Sequence, residues 1–186
     1  MIKSLTQYRK DYKKSVEDPK EFWLRYSKSF LWSKVPKDIL SWNFEDPDVK
    51  WFADGKMNIT ENIFERNKKN ESDTAIIWEP NEPNEKNIEL SYSQLFKRVC
   101  SFANVLKALG VKKGDRVIIY LPMIPEAAIS MLACARIGVV HSVVFAGFSA
   151  KSLSDRINDC KAKVVVTSDG NFRGNKTIPV KTDVDE

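Results

Sequence analysis

The most regular pattern of the chain lies in residues 116–167, which read RVIIYLPMIPEAAISMLACARIGVVHSVVFAGFSAKSLSDRINDCKAKVVVT. Three apolar runs of strand length recur in this stretch, at residues 116–120, 139–145 and 163–167. The segments between these runs have the length and the apolar spacing of helices, with Gly138 placed to end the first and Ser149 placed to cap the second. Apolar strands that alternate with helices predict βαβ units and a mainly parallel sheet, so we expect an α/β fold.

The same pattern begins upstream of this stretch. Residues 75–78 and 88–92 are short strand candidates, and the turn between them is rich in Pro and Asn. Ser91 or Ser93 is then expected to cap a helix with one apolar stripe, which Gly110 ends. The α/β region is therefore expected to run from about residue 59 to the end of the chain.

Residues 1–58 differ from this region and form an aromatic-rich N-terminal arm without regular strand alternation. The arm holds four of the five tryptophans, Trp23, Trp32, Trp42 and Trp51. Asp18 and Pro19 fit a helix start, because Asp can cap free amide groups and Pro is tolerated at the first helical position. An aromatic stripe follows at helical spacing, formed by Phe22, Trp23, Tyr26 and Phe30. We expect this stripe to pack on a larger body.

The last segment, residues 168–186, is expected to leave the final strand as a loop and to stop where another element should begin. A parallel sheet with so few strands has an exposed edge. We therefore expect residues 59–186 to be the first, incomplete part of a larger domain.

Composition excludes several classes of protein. The 186 residues include 42% hydrophobic and 11% aromatic residues, which excludes a disordered chain. No run approaches 18 apolar residues, so no membrane span is expected, and the polar N-terminus predicts a cytosolic protein. The 30 Lys and Arg exceed the 25 Asp and Glu, but they are scattered rather than clustered, so no nucleic-acid partner is expected.

The chain carries no recognisable catalytic or metal motif. It has one histidine and three cysteines without a CxxC pair, so neither a zinc site nor a Ser-His-Asp triad is expected. It also lacks the GxGxxG and GxxxxGK[ST] phosphate loops. We expect Cys100 and Cys134 to be buried, reduced thiols, because both lie in apolar helical patterns.

Two segments after predicted strands remain as candidate binding sites, because open α/β sheets bind ligands at the carboxyl ends of their strands. The first is the loop Phe145–Ala150, which begins with Phe145-Ala146-Gly147. Gly147 allows close approach of a ligand, Phe145 and Phe148 offer ring faces, and Ser149 begins a helix whose N-terminus favours anions. The alternative is an ordinary turn. The second is Arg173-Gly174-Asn175-Lys176, where two cations could hold a phosphate, and the alternative is a solvated turn.

Four segments resemble the N-terminal part of the AMP-forming acetyl-CoA synthetases, which belong to the adenylate-forming acyl-CoA synthetases. They read WFADGKMNITENIFERN, AIIWEPNEP, LKALGVKKGDRVIIYLPMIPEAAISMLACARIGVVHSVVFAGFSAKSLSDRINDCKAKVVVTSDG and RGNKTIPVK. The block PMIPEA…ACARIG…HSVVFAGFSA is specific to the acetyl and propionyl branch, and residues 1–58 resemble the segment that this branch places before its main domain. The resemblance implies the adenylate-forming fold for residues 59–186.

The resemblance also implies a reaction and two contact sites. A short carboxylate, acetate in the first instance, attacks MgATP to give an acyl-adenylate, and the thiol of coenzyme A (CoA) then displaces AMP. In this family, the turn matching Arg173, Gly174, Asn175 and Lys176 contacts the nucleotide end of CoA. The loop matching Phe145, Ala146 and Gly147 lies beside the adenine moiety. Small molecules, not nucleic acids or membranes, are therefore the expected partners.

The family's phosphate loop, acyl pocket and catalytic lysine match nothing in these residues. We therefore expect the catalytic, ATP and magnesium residues to lie outside the chain, and the chain alone to be inactive. Propionate or another short acid is an alternative substrate. A stand-alone CoA- or nucleotide-binding module without catalysis is the alternative to an enzyme part.

Overall fold

The structure is a computed structural model that describes residues 2–186. The chain divides into two compact units, and the division falls between Asn62 and Ile63. The domain boundary that the sequence predicts, between residues 58 and 59, lies four residues earlier and stays a prediction. No helix within residues 2–186 combines the length and the apolar character that a membrane crossing requires.

The first unit consists of helices and one hairpin. Its elements are α1 (Leu5–Glu17), α2 (Pro19–Ser27), β1 (Leu40–Asn43), β2 (Asp48–Trp51) and α3 (Ile59–Phe64), the last of which runs past the division. Asp18 separates the first two helices, and its carboxylate accepts a hydrogen bond of 3.1 Å from the N–H of Glu21. Because Pro19 follows as the first helical residue, the predicted helix start is confirmed.

The hairpin of β1 and β2 was not expected from the sequence. The two strands pair antiparallel from Leu40 with Trp51 to Asn43 with Asp48. Apolar and polar residues do alternate in both strands, which read Leu-Ser-Trp-Asn and Asp-Val-Lys-Trp, but each strand has only four residues and Leu40 is the only buried one. The expectation from the sequence overlooked this short alternation. The expectation of an arm without strands was therefore wrong.

The aromatic stripe of α2 is only partly buried within its own unit. Phe22 is buried, whereas Trp23, Tyr26 and Phe30 are each about 40% exposed. The Trp23 ring meets the edge of Trp51, with their centroids 5.9 Å apart. The packing of this stripe on a larger body stays a prediction.

The side chain of Asn62, in α3, connects this helix with the segment after α2 by binding the backbone of Leu31. Its Oδ1 accepts a hydrogen bond of 2.8 Å from the N–H of Leu31, and its Nδ2 donates one of 3.0 Å to the carbonyl of Leu31. The same Nδ2 donates to the carbonyl of Asn58 at 3.3 Å. Since Asn62 is 4% exposed, water cannot easily replace these bonds.

The second unit has an α/β architecture with hairpins before and after its sheet. Its elements are a 3-10 turn (Lys68–Asn70), β3 (Thr74–Trp78), β4 (Ile88–Ser91), α4 (Tyr92–Ala108), β5 (Arg116–Leu121), α5 (Pro125–Arg136), β6 (Val140–Phe145), α6 (Ala150–Cys160), β7 (Val164–Thr167), β8 (Asn171–Arg173), β9 (Lys176–Ile178) and α7 (Val180–Asp185). The strands β3 and β4 pair antiparallel, as do β8 and β9. The sequence predictions of β3 to β7 and of the helices between them are confirmed.

The central sheet is parallel and has the order β6-β5-β7. The middle strand β5 is buried on both faces, so its alternating side chains enter two cores. Val117, Ile119 and Leu121 pack in a core with the helices α4 and α5. Ile118 and Tyr120 pack in a second core with the helices α6 and α7. The sheet is therefore covered by helices on both faces, as the α/β prediction requires.

Two of the predicted helix caps are present with their side-chain bonds. Ser91 caps α4, where it accepts from the N–H of Gln94 while the Gln94 side chain accepts from the N–H of Ser91. This capping box decides between the two serines that the sequence left open. Ser149 caps α6 by accepting from the N–H of Ser152.

The loop expected after the last sheet strand is in fact a second hairpin followed by a helix. The strands β8 and β9 have three residues each and are mostly exposed, and Val180 at the start of α7 is fully buried. The expectation was wrong because strands this short and polar carry no periodic pattern in the sequence.

The hydrogen bonds of Asn62 lead to a prediction about stability. Asn62→Ala should destabilise the chain by about 1–2 kcal/mol, because it removes the two partly buried hydrogen bonds that connect the buried Asn62 side chain with the backbone of Leu31. The measurement is urea unfolding followed by tryptophan fluorescence. Asn84→Ala is the control, since Asn84 is exposed and its side chain makes no hydrogen bond within residues 2–186. Equal unfolding midpoints for the two variants would contradict this role of Asn62.

Candidate functional site

The first candidate segment, Phe145-Ala146-Gly147, lies where β6 ends. Phe145 is the last residue of the strand and its ring is 59% exposed, whereas Ala146 is buried in the core beneath α6 and α7. Gly147 has a φ of 130°, a region that residues with a side chain rarely adopt. The segment therefore leaves a ring at the surface while its backbone stays anchored.

The anchor of this segment is the hydroxyl of Tyr120, a fully buried residue of β5. The N–H of Gly147 donates to Tyr120 Oη at 3.2 Å. Oη lies 2.8 Å from the carbonyl of Phe148 and 3.1 Å from Oδ2 of Asp183, and its single proton is donated to one of them at a time. Burial raises the pKa of Tyr120, so the phenol keeps this proton at neutral pH. Tyr120 thus connects the turn after β6 with α7.

Two exposed rings and one cation stand around Gly147. The rings of Phe145 and Phe148 are 6.2 Å apart between centroids and steeply inclined to one another. The guanidinium carbon of Arg156 lies 5.2 Å from the centroid of the Phe148 ring. Ring faces beside a glycine, which has no side chain to block a ligand, can stack on a planar heterocycle, and an adjacent guanidinium adds positive charge to such a surface.

The second candidate segment, Arg173-Gly174-Asn175-Lys176, is the turn of the hairpin formed by β8 and β9. Arg173 and Lys176 are paired directly across the two strands, so their side chains leave the same face. Gly174 has a φ of 56°, and no positive φ occurs at Asn175. Glycine with positive φ at the first central position is typical of a type II′ turn. The two-residue turn brings the two cations closer together than their separation in the sequence suggests.

The two cations have no acidic partner in the structure. Both side chains are exposed, and neither makes an ion pair within residues 2–186. Like charges directly opposite each other in a hairpin are unfavourable, and an anion between them would remove that repulsion. The arrangement is therefore suited to binding a phosphate or carboxylate.

Sequence reasoning missed the residue that holds this turn, Asn81 in the connection between β3 and β4. Its Oδ1 accepts from the N–H of Gly174 at 3.2 Å, and its Nδ2 donates to the carbonyl of Gly174 at 3.1 Å. The two residues are 93 positions apart in the chain. An asparagine in a Pro- and Asn-rich turn has no local feature that indicates such a distant partner.

The two candidate segments are connected through the core beneath α6 and α7. Ala146 of the first segment is a member of this core. Ile178, at the end of β9, packs against the same core, as does Val184 of α7, while Val180 is one of its fully buried members. The hairpin is therefore anchored at its base, next to the packing that anchors the first segment, and its charged turn is left at the surface.

Other reactive groups do not assemble into a site. Within the described residues, no group of three or more His, Cys, Asp and Glu is placed to hold a metal ion. Cys134 is buried, as expected, and burial raises the pKa of its thiol to about 11, which keeps it protonated and unreactive. Cys100 is only half-buried, so the expectation of burial was too strong there. His141 on β6 is half-buried, and this lowers its pKa.

Two protein families match the chain, one after the other. The family described as AMP-binding enzyme matches residues 63–186. The family described as Acetyl-coenzyme A synthetase N-terminus matches residues 8–63. Together they cover nearly the whole chain without a gap.

The curated relatives with similar sequences include several acetyl-coenzyme A synthetases. An acetyl-coenzyme A synthetase of Syntrophobacter fumaroxidans is 51% identical over 181 residues, and one of Bradyrhizobium diazoefficiens is 49% identical over 182 residues. Each alignment covers 96% of this chain and 28% of the relative. The chain thus spans a little over a quarter of the length of these relatives.

A solved structure shares the fold. The acetoacetyl-CoA synthetase of Streptomyces lividans superposes with a TM-score of 0.83 at 28% sequence identity, over 93% of this chain and 27% of that one. The fold, the two family matches and the relatives agree with one another. The chain therefore belongs to the family of AMP-binding enzymes and corresponds to the N-terminal part of the acetyl-coenzyme A synthetases.

Proposed function

We propose that the chain is the N-terminal portion of an acetate–CoA ligase, which makes acetyl-CoA from acetate, ATP and CoA through an acetyl-adenylate. The observation that carries this proposal is the match of residues 8–63 to the acetyl-coenzyme A synthetase N-terminus. The acetoacetyl-CoA synthetase aligns over 93% of the chain, so this segment is not confined to acetate ligases. The names of the curated relatives support acetate as the acid. Propionate or another short acid is the alternative, since we assign no acyl-binding residue to this chain.

Within such a ligase, the contribution of this chain is to hold the nucleotide end of CoA. Arg173 and Lys176 project from one face of an exposed hairpin without acidic partners, so they are available to a phosphate. The planar guanidinium of Arg173 can donate two parallel hydrogen bonds to phosphate oxygens, whereas Lys176 supplies a single compact charge. The main-chain atoms of Gly174 and Asn175 set the spacing between these two cations.

The segment Phe145-Ala146-Gly147 is proposed to lie beside the adenine moiety. Its support is the exposed ring of Phe145 next to a glycine that cannot crowd a ligand, on a backbone that Tyr120 and the core keep in place. Stacking of a base on an aromatic ring contributes about 1–3 kcal/mol. The role proposed for this segment is therefore orientation of a ligand and not chemistry.

No catalytic or metal-binding role is assigned to these residues. Within the described residues, no group of three or more His, Cys, Asp and Glu is placed to hold Mg²⁺. Bringing the CoA thiol to the acyl-adenylate in the right orientation is the step to which this chain contributes, because correct placement of two reactants removes much of the entropic barrier.

The purified chain should make no acetyl-CoA from acetate, MgATP and CoA, because it spans 28% of the relatives' length and carries no assigned catalytic residue. The measurement is the release of AMP together with the formation of the thioester, with the complete acetyl-coenzyme A synthetase of a relative as the positive control. Thioester formation by the chain alone, above the rate without protein, would contradict the assignment.

Arg173→Ala should raise the KM for CoA by about tenfold or more in a ligase whose N-terminal region is this chain, because a hydrogen bond to a charged group contributes about 1.5–3 kcal/mol. The KM values for acetate and ATP should change less than twofold. The measurement is steady-state kinetics with each substrate varied in turn.

The matched control for Arg173 is Lys107→Ala, which removes one exposed positive charge from the end of α4, just before β5 begins. This variant should leave the KM for CoA unchanged. Lys107 lies on the connection that leads to the amino-terminal end of β5, whereas both candidate segments follow the carboxyl-terminal ends of strands. An equal effect of both variants, or none of Arg173→Ala, would exclude Arg173 from the CoA site.

A further inference from the structure

We infer that Asn81 is a positioning residue for the phosphate-binding hairpin, which its side-chain amide holds in the shape that presents Arg173 and Lys176 together. The identity of the ligand rests on the function proposed above. The contacts of Asn81 do not depend on that function. Neither the family matches nor the sequence motifs assign any role to this residue.

The amide of Asn81 recognises the backbone of Gly174 in one orientation only. Oδ1 accepts from the N–H of Gly174 at 3.2 Å, and Nδ2 donates to its carbonyl at 3.1 Å. Nδ2 also donates to Oε1 of Glu82 at 3.1 Å, so both of its protons are used. Turning the amide over would place oxygen against oxygen and N–H against N–H. The side chain therefore imposes one arrangement on the turn.

These two bonds act on the part of the hairpin that sets the direction of the cations. The N–H of Gly174 belongs to the peptide unit that joins it to Arg173, and its carbonyl belongs to the unit that joins it to Asn175. Asn81 thus fixes both peptide planes around the first turn residue. The start of the Arg173 side chain is fixed with them.

The hairpin needs such an external support. Its strands have three residues each, and a hairpin of this length is not stable by itself. The paired charges of Arg173 and Lys176 oppose its formation further. A turn that is already held in place loses less conformational entropy when a ligand binds. The contact with Asn81 should therefore increase the affinity of the hairpin for a phosphate.

Asn62 in the first unit makes the same pair of hydrogen bonds to a backbone residue as Asn81, but its side chain is buried. There, the buried side chain of Asn62 binds the N–H and carbonyl of Leu31, and its removal is expected to lower stability. Asn81 and Gly174 are both exposed, so water can replace these bonds when the side chain is removed. Loss of Asn81 should therefore change the geometry of the hairpin and leave the stability of the unit nearly unchanged.

The test measures the dissociation constant of adenosine 3′,5′-bisphosphate, which stands for the nucleotide end of CoA, by NMR titration of the 186-residue chain. Asn81→Ala should weaken binding about three- to tenfold. This range corresponds to the net free energy of about one neutral hydrogen bond. Asn84→Ala is the matched control. It removes the same side chain from the same connection, where it makes no hydrogen bond within the described residues, and should leave the constant unchanged.

A double-mutant cycle separates positioning from a direct or a general effect. In a chain that already carries Arg173→Ala and Lys176→Ala, the further change Asn81→Ala should not weaken binding again, because there are no cations left to position. The thermal unfolding midpoint of Asn81→Ala should match that of Asn84→Ala. Additive weakening, or a midpoint lowered by more than about 5 °C, would overturn the positioning role.

The outcomes also separate this inference from the proposed function. If the two cation variants weaken binding and Asn81→Ala does not, the role of Asn81 is wrong and the phosphate site stands. If the cation variants leave the dissociation constant unchanged, the phosphate site itself is wrong and the role of Asn81 falls with it.

Discussion

Burial of β5 on both of its faces is the constraint on which the second unit depends. Every residue of this strand from Val117 to Leu121 is buried, and the side chains enter the two cores in strict alternation. A shift of the strand by one residue would exchange the two sets, which would place the Tyr120 hydroxyl in the core of α4 and α5 without its partners. The parallel pairing with β6 and β7 therefore has one register, and the ends of these strands are fixed in space.

The candidate site grows from this rigid centre toward its surface. The hydroxyl of Tyr120 connects β5 with the turn after β6 through its hydrogen bond with Gly147, and with α7 through its hydrogen bond with Asp183. The position of β5 therefore determines the positions of both. Ile178 at the base of the hairpin packs against the same core. The charged turn then extends beyond the packed region, where the side chain of Asn81 binds the N–H and carbonyl of Gly174. The two like charges are therefore exposed to water, and binding of an anion would reduce their repulsion.

How far the sequence predicts this structure depends on the length and regularity of its local patterns. The strands of residues 116–167 and their helices were predictable, because their apolar runs and caps such as Ser149 are strong local signals. The hairpin of β1 and β2 was missed although apolar and polar residues alternate in both strands, because runs of four residues give only a weak signal. In β8 and β9 the dipeptide Gly174-Asn175 is a known hairpin signal, but three-residue strands carry no periodicity to support it. Arg173 and Lys176 were identified from charge alone, whereas the support by Asn81 depends on a contact between distant parts of the chain.

We propose that the cationic turn and the segment after β6 face the nucleotide end of CoA. The most direct test is an NMR titration of the ¹⁵N-labelled chain with adenosine 3′,5′-bisphosphate, in which the amide signals that move are mapped along the sequence. Two groups of amides should move in a saturable way, those of residues 171–176 and those of residues 145–148, and 0.5 M salt should reduce the shifts because charge contributes to binding. Shifts confined to other surfaces, or a linear response without saturation at either segment, would contradict the account.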